Sequence, residues 1–137
     1  MQRRQKNLLG YNIDLFNVEE ALDYSNSLID SAKSSHIVTI NPEIIEYANK
    51  HENFAKILKE AELVIPDGIG IKIGLKINGE NVQRITGIGF AHSLLENAQK
   101  NNIPVALVGA KPHVIEKAYE NLKQEMPELN VVYKHDG

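Results

Sequence analysis

The chain has 137 residues, enough for one domain with a sizeable buried core. Its 42% hydrophobic and 24% charged content excludes a disordered tract, and no apolar run approaches the roughly 20 residues of a transmembrane helix. A net charge of −3 argues against a nucleic-acid-binding face, and the absence of cysteine removes disulfides, thiolate metal sites and a cysteine nucleophile.

Strand and helix patterns alternate along the chain. Arg3, Arg4 and Lys6 form the one basic cluster, read as a solvated N-terminal tail, with anionic lipid as the other possible contact. Leu8–Ile13 is a short apolar stretch around Gly10, a first strand or a hairpin. Asn17 then stands three residues before Glu20, the spacing of a capping box. Val18, Ala21, Leu22, Ser25, Leu28 and Ile29 follow at helical spacing and predict a helix over Val18–Ala32. His36–Ile40 is β-branched and predicts a buried strand. It runs into Asn41-Pro42-Glu43, where an N-cap, a proline at the first helical position and an acid at the positive helix end combine. A second short helix is expected over Glu52–Lys59, with Phe54, Ile57 and Leu58 inward.

Leu63–Ile65 predicts another short strand, ending in the turn signal Pro66-Asp67-Gly68-Ile69-Gly70. Helices are expected over Ile71–Ile77, Ile88–Lys100 and Pro112–Glu125, the last with Val114, Ala118, Tyr119 and Leu122 marking its face. Strands are expected over Pro104–Val108 and Asn130–Tyr133, with His135-Asp136-Gly137 as a loop leaving the last strand. Strands separated by helices of this length imply βαβ units. The predicted class is α/β, a mostly parallel sheet with helices on both faces, Rossmann-like, in one domain over 1–137. The last unit lacks a closing helix, which suggests a domain incomplete at its C-terminus.

Four constellations could carry chemistry, and three of them sit at strand ends, where open parallel sheets bind ligands. In Thr39-Ile40-Asn41-Pro42-Glu43, the exposed N–H groups of a helix start suit a phosphate or carboxylate, and Thr39 and Asn41 suit a sugar hydroxyl. The plainer reading makes Asn41 a cap and Thr39 a strand residue. In Pro66-Asp67-Gly68-Ile69-Gly70, Asp67 presents a carboxylate at the sheet edge. Partial burial would tune it toward general-base work, and Gly68 and Gly70 would let backbone approach a ligand. The plainer reading is a turn in which Asp67 caps the next helix. Arg84, in Arg84-Ile85-Thr86-Gly87, is a fork donor for an anion or a solvated surface residue. Gly109, in Val108-Gly109-Ala110-Lys111-Pro112, follows a strand and precedes a helix, as nucleotide-contact turns do. Neither a dinucleotide fingerprint nor a P-loop is present. The five histidines lack metal-ligand spacing, so no metal site is expected.

Taken in order, these motifs resemble the WecG/TagA/CpsF glycosyltransferases. The resemblance rests on Leu9-Gly10, Thr39-Ile40-Asn41-Pro42-Glu43, Ile65-Pro66-Asp67-Gly68-Ile69-Gly70, Arg84-Ile85-Thr86-Gly87 and Leu107-Val108-Gly109-Ala110. It continues through a helix with Ala118, Leu122 and Pro127 to Val131-Val132. No single motif is specific; the ordered set is.

The resemblance implies a non-standard glycosyltransferase fold and a cytoplasmic enzyme, peripheral at the inner face of the cell membrane. Its expected reaction moves N-acetylmannosamine or a related sugar from a UDP-sugar donor to undecaprenyl-diphosphate-linked N-acetylglucosamine, with inversion, in cell-wall or surface-polysaccharide synthesis. It implies Asp67 as the catalytic base, Thr39 and Asn41 in the same pocket with Gly68, and Arg84 and Gly109 on the donor side. No cofactor is implied. No D-x-D stands in the sequence to hold a divalent metal, so helix starts and arginines would stabilise the diphosphate. Two features depart from the family. Gly89 stands where an acidic residue is common, and relatives continue past residue 137 with basic residues that help close the site. A homo-oligomer is a further expectation, compatible with this activity; an inactive or fragmentary nucleotide-sugar-binding domain and an oligomerisation or interaction module are the competing expectations.

Overall fold

The computed structural model describes residues 3–31 and 33–137. The architecture is α/β, in two compact units, residues 1–90 and 91–137.

The first unit opens with an antiparallel hairpin, β1 (Gln5–Leu8) and β2 (Tyr11–Asp14). The apolar stretch around Gly10 is thus a hairpin, not one strand. Leu9 at φ 53° and Gly10 at φ 91° supply the two left-handed residues that a tight two-residue hairpin turn needs. Helix α1 (Val18–Asp30) carries the expected capping box: Asn17 Oδ1 accepts from the Glu20 N–H at 2.9 Å, and Glu20 Oε2 accepts from the Asn17 N–H at 2.8 Å. It ends at a Ser31 C-cap, and the expected last residue, Ala32, lies outside the described residues.

β3 (Ile37–Ile40) and β4 (Leu63–Pro66) pair in parallel, with Thr39 opposite Ile65 and Ile40 opposite Pro66. Between them run α2 (Pro42–Lys50) and α3 (Glu52–Lys59). In α3 Leu58 is buried and Phe54 half-buried as expected, but Ile57 points to solvent. α4 (Gly68–Ile77) begins three residues earlier than its apolar spacing predicts. Its first turn holds two glycines, poor helix formers; packing explains Gly70 there and Gly74 a turn later. A Cβ on Gly70 would fall 2.7 Å from Pro42 Cγ, and one on Gly74 would fall 3.0 Å from Leu8 Cδ2. The core joins the hairpin, the parallel pair and these helices through Ile13, Ile40, Val64, Ile71 and Leu75. Each such buried aliphatic side chain contributes about 1.5–3 kcal/mol.

The basic N-terminal cluster is not a solvated tail. Arg3 grips Asp14 with two hydrogen bonds, of 2.6 and 3.0 Å, and Arg4 pairs with Glu80 at 3.4 Å. Lys6 lies within β1. Asp14 is fully buried, and its Oδ2 also accepts from the Val64 N–H at 2.8 Å. This carboxylate ties β2 to β4 and holds the Arg3 guanidinium above its ordinary pKa.

α5 (Gly87–Lys100) has its first turn in the first unit and the remainder in the second. The second unit continues with β5 (Val105–Val108), α6 (Pro112–Glu125) and β6 (Val131–His135), with β5 and β6 parallel. Its own core gathers Ala98, Met126 and Leu129, with Leu95, Ile103, Val105, Leu122 and Val131 against them. Two expectations change here. His135 belongs to the strand, opposite Val108, because the Gly109 N–H bonds its carbonyl at 2.8 Å. In α6 the buried residue is Ile115, while Val114 and Ala118 are exposed.

Candidate functional site

The carboxyl ends of β3 and β4 carry the same local pattern: a parallel strand, an Asx residue with extended backbone, then a helix. Asn41 (φ −130°) behaves as its sequence dictates. Its Oδ1 accepts from the Ile44 N–H at 2.9 Å and caps α2.

Asp67 does not. Its backbone is extended (φ −104°, ψ 134°) at the N-cap position of α4, but its side chain makes no capping bond there. The carboxylate turns instead to the start of α5, where Oδ1 accepts from the Gly87 N–H at 3.0 Å. This excludes the plainer reading of Asp67 as a cap of the following helix. It places a negative charge at the positive end of α5, where an anion is favoured. Oδ2 bonds to no described residue.

Three further contacts hold this arrangement. The Asp67 N–H bonds the Ile40 carbonyl at 2.8 Å, which extends the β3–β4 ladder one step beyond the strands. Asp67 and Ile85 form a parallel β-bridge, which draws the Arg84–Gly87 segment alongside the sheet edge. Thr86 caps α5: its Oγ1 accepts from the Gly89 N–H at 3.2 Å, and its carbonyl accepts from the Phe90 N–H at 2.9 Å. A Cβ on Gly89 would fall 2.7 Å from Thr86 Oγ1, so a larger residue there would press on this cap.

Thr39 joins from β3. Its Oγ1 lies 2.9 Å, and Asp67 Oδ2 lies 3.2 Å, from where a Cβ on Gly87 would sit. The hydroxyl and the free carboxylate oxygen thus flank the same point. Thr39, Asn41 and Asp67 are all half-buried, open to a ligand yet held by the sheet edge.

The remaining expected residues divide. Gly68 (φ +80°) has nothing within 4 Å of its Cβ position and faces open space beside Asp67. Gly70, by contrast, admits Pro42 of α2 rather than a ligand. Arg84 is exposed, one residue before the bridge to Asp67, and forms no ion pair with a described residue. Gly109 belongs to the second unit. At φ +120° it turns the chain from β5 toward α6, beside a groove of about 410 Å3 lined by Leu107, Val114, Ile115, Ala118 and Leu122. That lining is apolar. Two residues that sequence reasoning had not given separate roles, Gly87 and Thr86, complete the Asp67 surroundings. The signal available for them was the Thr-Gly pair itself, a cap residue followed by a helix start.

Chemically, the first unit offers a carboxylate with one oxygen bound and one free, a hydroxyl beside it, and an unpaired guanidinium one residue before the Asp67 bridge. The grouping stands at the carboxyl edge of a parallel pair in an α/β domain, the place where open α/β sheets bind their ligands. The Glycosyl transferase WecG/TagA/CpsF family model matches residues 6–137, and the chain belongs to that family. The chain is 34% identical over 110 residues to an N-acetylglucosaminyldiphosphoundecaprenol N-acetyl-beta-D-mannosaminyltransferase of Bacillus spizizenii, covering 80% of this chain and 43% of that protein. It is 32% identical over 106 residues to a protein of the same name from Staphylococcus aureus, covering 77% of this chain and 42% of that protein. The chain thus spans about two fifths of the length of these relatives. No helix among the described residues is long and apolar enough to cross a membrane.

Proposed function

We propose that this chain carries the acceptor-activating site of an inverting N-acetylmannosaminyltransferase that uses a UDP-sugar donor and an N-acetylglucosamine linked to undecaprenyl diphosphate. The observation that carries the reading is the Asp67 carboxylate, anchored through one oxygen to Gly87 and free at the other, beside Thr39. The relatives' names supply the sugar and the acceptor.

In this reading the acceptor hydroxyl lies against Asp67 Oδ2 and Thr39 Oγ1. Its oxygen forms the new bond to the sugar anomeric carbon while its proton passes to Asp67. The bond from that carbon to the diphosphate breaks on the opposite face, and UDP leaves with the electron pair. One carboxylate suffices for such a displacement. Fixing it at one oxygen holds it in a reactive geometry. Asn41 and Gly68 line the acceptor side. Arg84 serves the donor, whose departing diphosphate needs positive charge or N–H donors. The enzyme works peripherally at the inner membrane face, where a lipid-linked acceptor is found.

Calorimetric titration with UDP, UDP-N-acetylglucosamine and UDP-N-acetylmannosamine tests the donor half. A transfer assay of native and Asp67→Ala chains tests the catalytic half. The reading expects UDP-sugar binding in both chains and transfer only in the native one. A native chain that binds none of the three ligands overturns the donor assignment, and equal transfer by both chains overturns the base.

A further inference from the structure

We infer that Gly87 is a positioning residue for Asp67, acting through both its N–H and its missing side chain. The inference rests on the proposed role of Asp67 as base.

The first N–H groups of a helix have no partner within it and ordinarily bond water. Gly87 is the first residue of α5, yet its N–H is given to Asp67 Oδ1 at 3.0 Å. That bond fixes which carboxylate oxygen is occupied and which is free. The missing side chain matters equally. A Cβ on Gly87 would meet Thr39 Oγ1 at 2.9 Å, Thr39 Cβ at 3.0 Å and Asp67 Oδ2 at 3.2 Å. The second of these atoms is part of a strand side chain close to the backbone and cannot swing aside. Any residue larger than glycine therefore pushes on the hydroxyl and on the free oxygen at once.

Nothing else in the turn demands glycine at this place. Gly87 is not among the residues with positive φ, so its backbone conformation is open to any residue. The helix start is already capped by Thr86. The requirement for glycine comes from the tight approach to Thr39 and Asp67.

Two experiments on the whole chain test the inference. The first is amide exchange at Gly87. A bond to a carboxylate gives at least about tenfold protection. We expect Gly87 to be protected in the native chain, to keep protection in Asp67→Asn, whose Oδ1 still accepts, and to lose it in Asp67→Ala. Exchange at Gly87 as fast in the native chain as in Asp67→Ala overturns the inference, with no need for turnover. The second is transfer by Gly87→Ala, which keeps the N–H and adds only the Cβ. The Cβ calls for shifts of a few tenths of an ångström; a full ångström costs about 100-fold in rate, so kcat should fall by roughly several-fold to tenfold with the KM for the nucleotide-sugar unchanged. A folded Gly87→Ala chain with native kcat overturns it. If Gly87→Ala does not fold, or if the native chain shows no turnover, the exchange experiment decides alone. Loss of the base role, seen as native transfer by Asp67→Ala, would leave protected Gly87 exchange standing and so remains distinguishable.

Discussion

The ends of β3 and β4 are near copies in sequence logic and opposites in use. Each parallel strand runs into an Asx residue with extended backbone that opens a helix. Asn41 spends its side chain on its own helix, three residues away, whereas Asp67 ignores its helix and reaches 20 residues along the chain to Gly87. The difference follows from the neighbours. The Asp67–Ile85 bridge brings the start of α5 within reach of Asp67, and the bare Cα of Gly87 lets it approach. A third strand-end residue extends the series. Asp14, closing β2, is fully buried, with Arg3 on both oxygens and the Val64 N–H on one of them. A group with every acceptor engaged holds structure together; a group with one oxygen left over can do chemistry.

The comparison can be broken most decisively at Asp67. If its free oxygen takes the acceptor proton, Asp67→Ala should lower transfer about 100- to 10,000-fold, and denaturant unfolding should show a loss of only about 1 kcal/mol, the scale of one helix-start bond. A large stability loss with unchanged transfer would make Asp67 a second Asp14. The reciprocal experiment is Asp14→Ala. Removing one partner of a buried pair costs roughly 3–5 kcal/mol. Arg3 keeps one third of its side chain exposed and can rehydrate, so about 2–3 kcal/mol is expected in urea unfolding. Nucleotide-sugar affinity, measured under conditions where the variant is folded, should not change. A loss of affinity equal to that of a site variant would dissolve the distinction between the two carboxylates.

How legible these roles were depends on the reach of each bond. The Asn17–Glu20 capping box, the Asn41 cap with Pro42 behind it, and the bounds of α3 and α6 are local chemistry, and the sequence spells them out. The convergence of Thr39 and Asp67 is not local: it was implied by the family resemblance, and the parallel register of β3 and β4 is what brings the two strand ends side by side. Asp14 gave no such signal, because its partner Val64 stands 50 residues away and its other partner looked like part of a charged tail. The start of α4 was hidden for a related reason. Gly68 and Gly70 weaken the local helix signal, and only the fit of Gly70 on Pro42 shows why a glycine belongs there. Gly87 is the same lesson at the site: its importance lies in an atom it lacks, which shows only against Thr39 and Asp67.

Asn41→Ala sharpens the comparison from the other side. As the cap of α2, it should cost about 1 kcal/mol in unfolding. Asn41→Asp should restore most of that, since a carboxylate also accepts from Ile44 and suits a helix start. If Asn41→Asp is stable yet weak in ligand binding, Asn41 contacts the ligand as well as capping α2.

The smallest effect is expected where a tertiary-reaching side chain is also exposed. His92 on α5 meets Glu125 of α6 at 2.8 Å and Glu96 at 3.6 Å. The hydrogen bond to Glu125, aided by both negative charges, raises its pKa above the ordinary 6.5. A raised value means that the folded state holds the proton more tightly than the unfolded one. The stabilisation is therefore fully present below pH 6.5 and is lost as pH rises through the folded value. Comparing thermal unfolding of native and His92→Ala chains should show a small advantage for the native chain in mild acid that vanishes in mild base. Because the pair is solvent-exposed, added salt should shrink it further. An advantage that persists unchanged into base would mean that His92 contributes by packing rather than by charge. Reach along the chain then would not suffice to predict effect. The strand-end series makes the same point, since Asp14 and Asp67 both reach far and differ in how many of their acceptors are engaged.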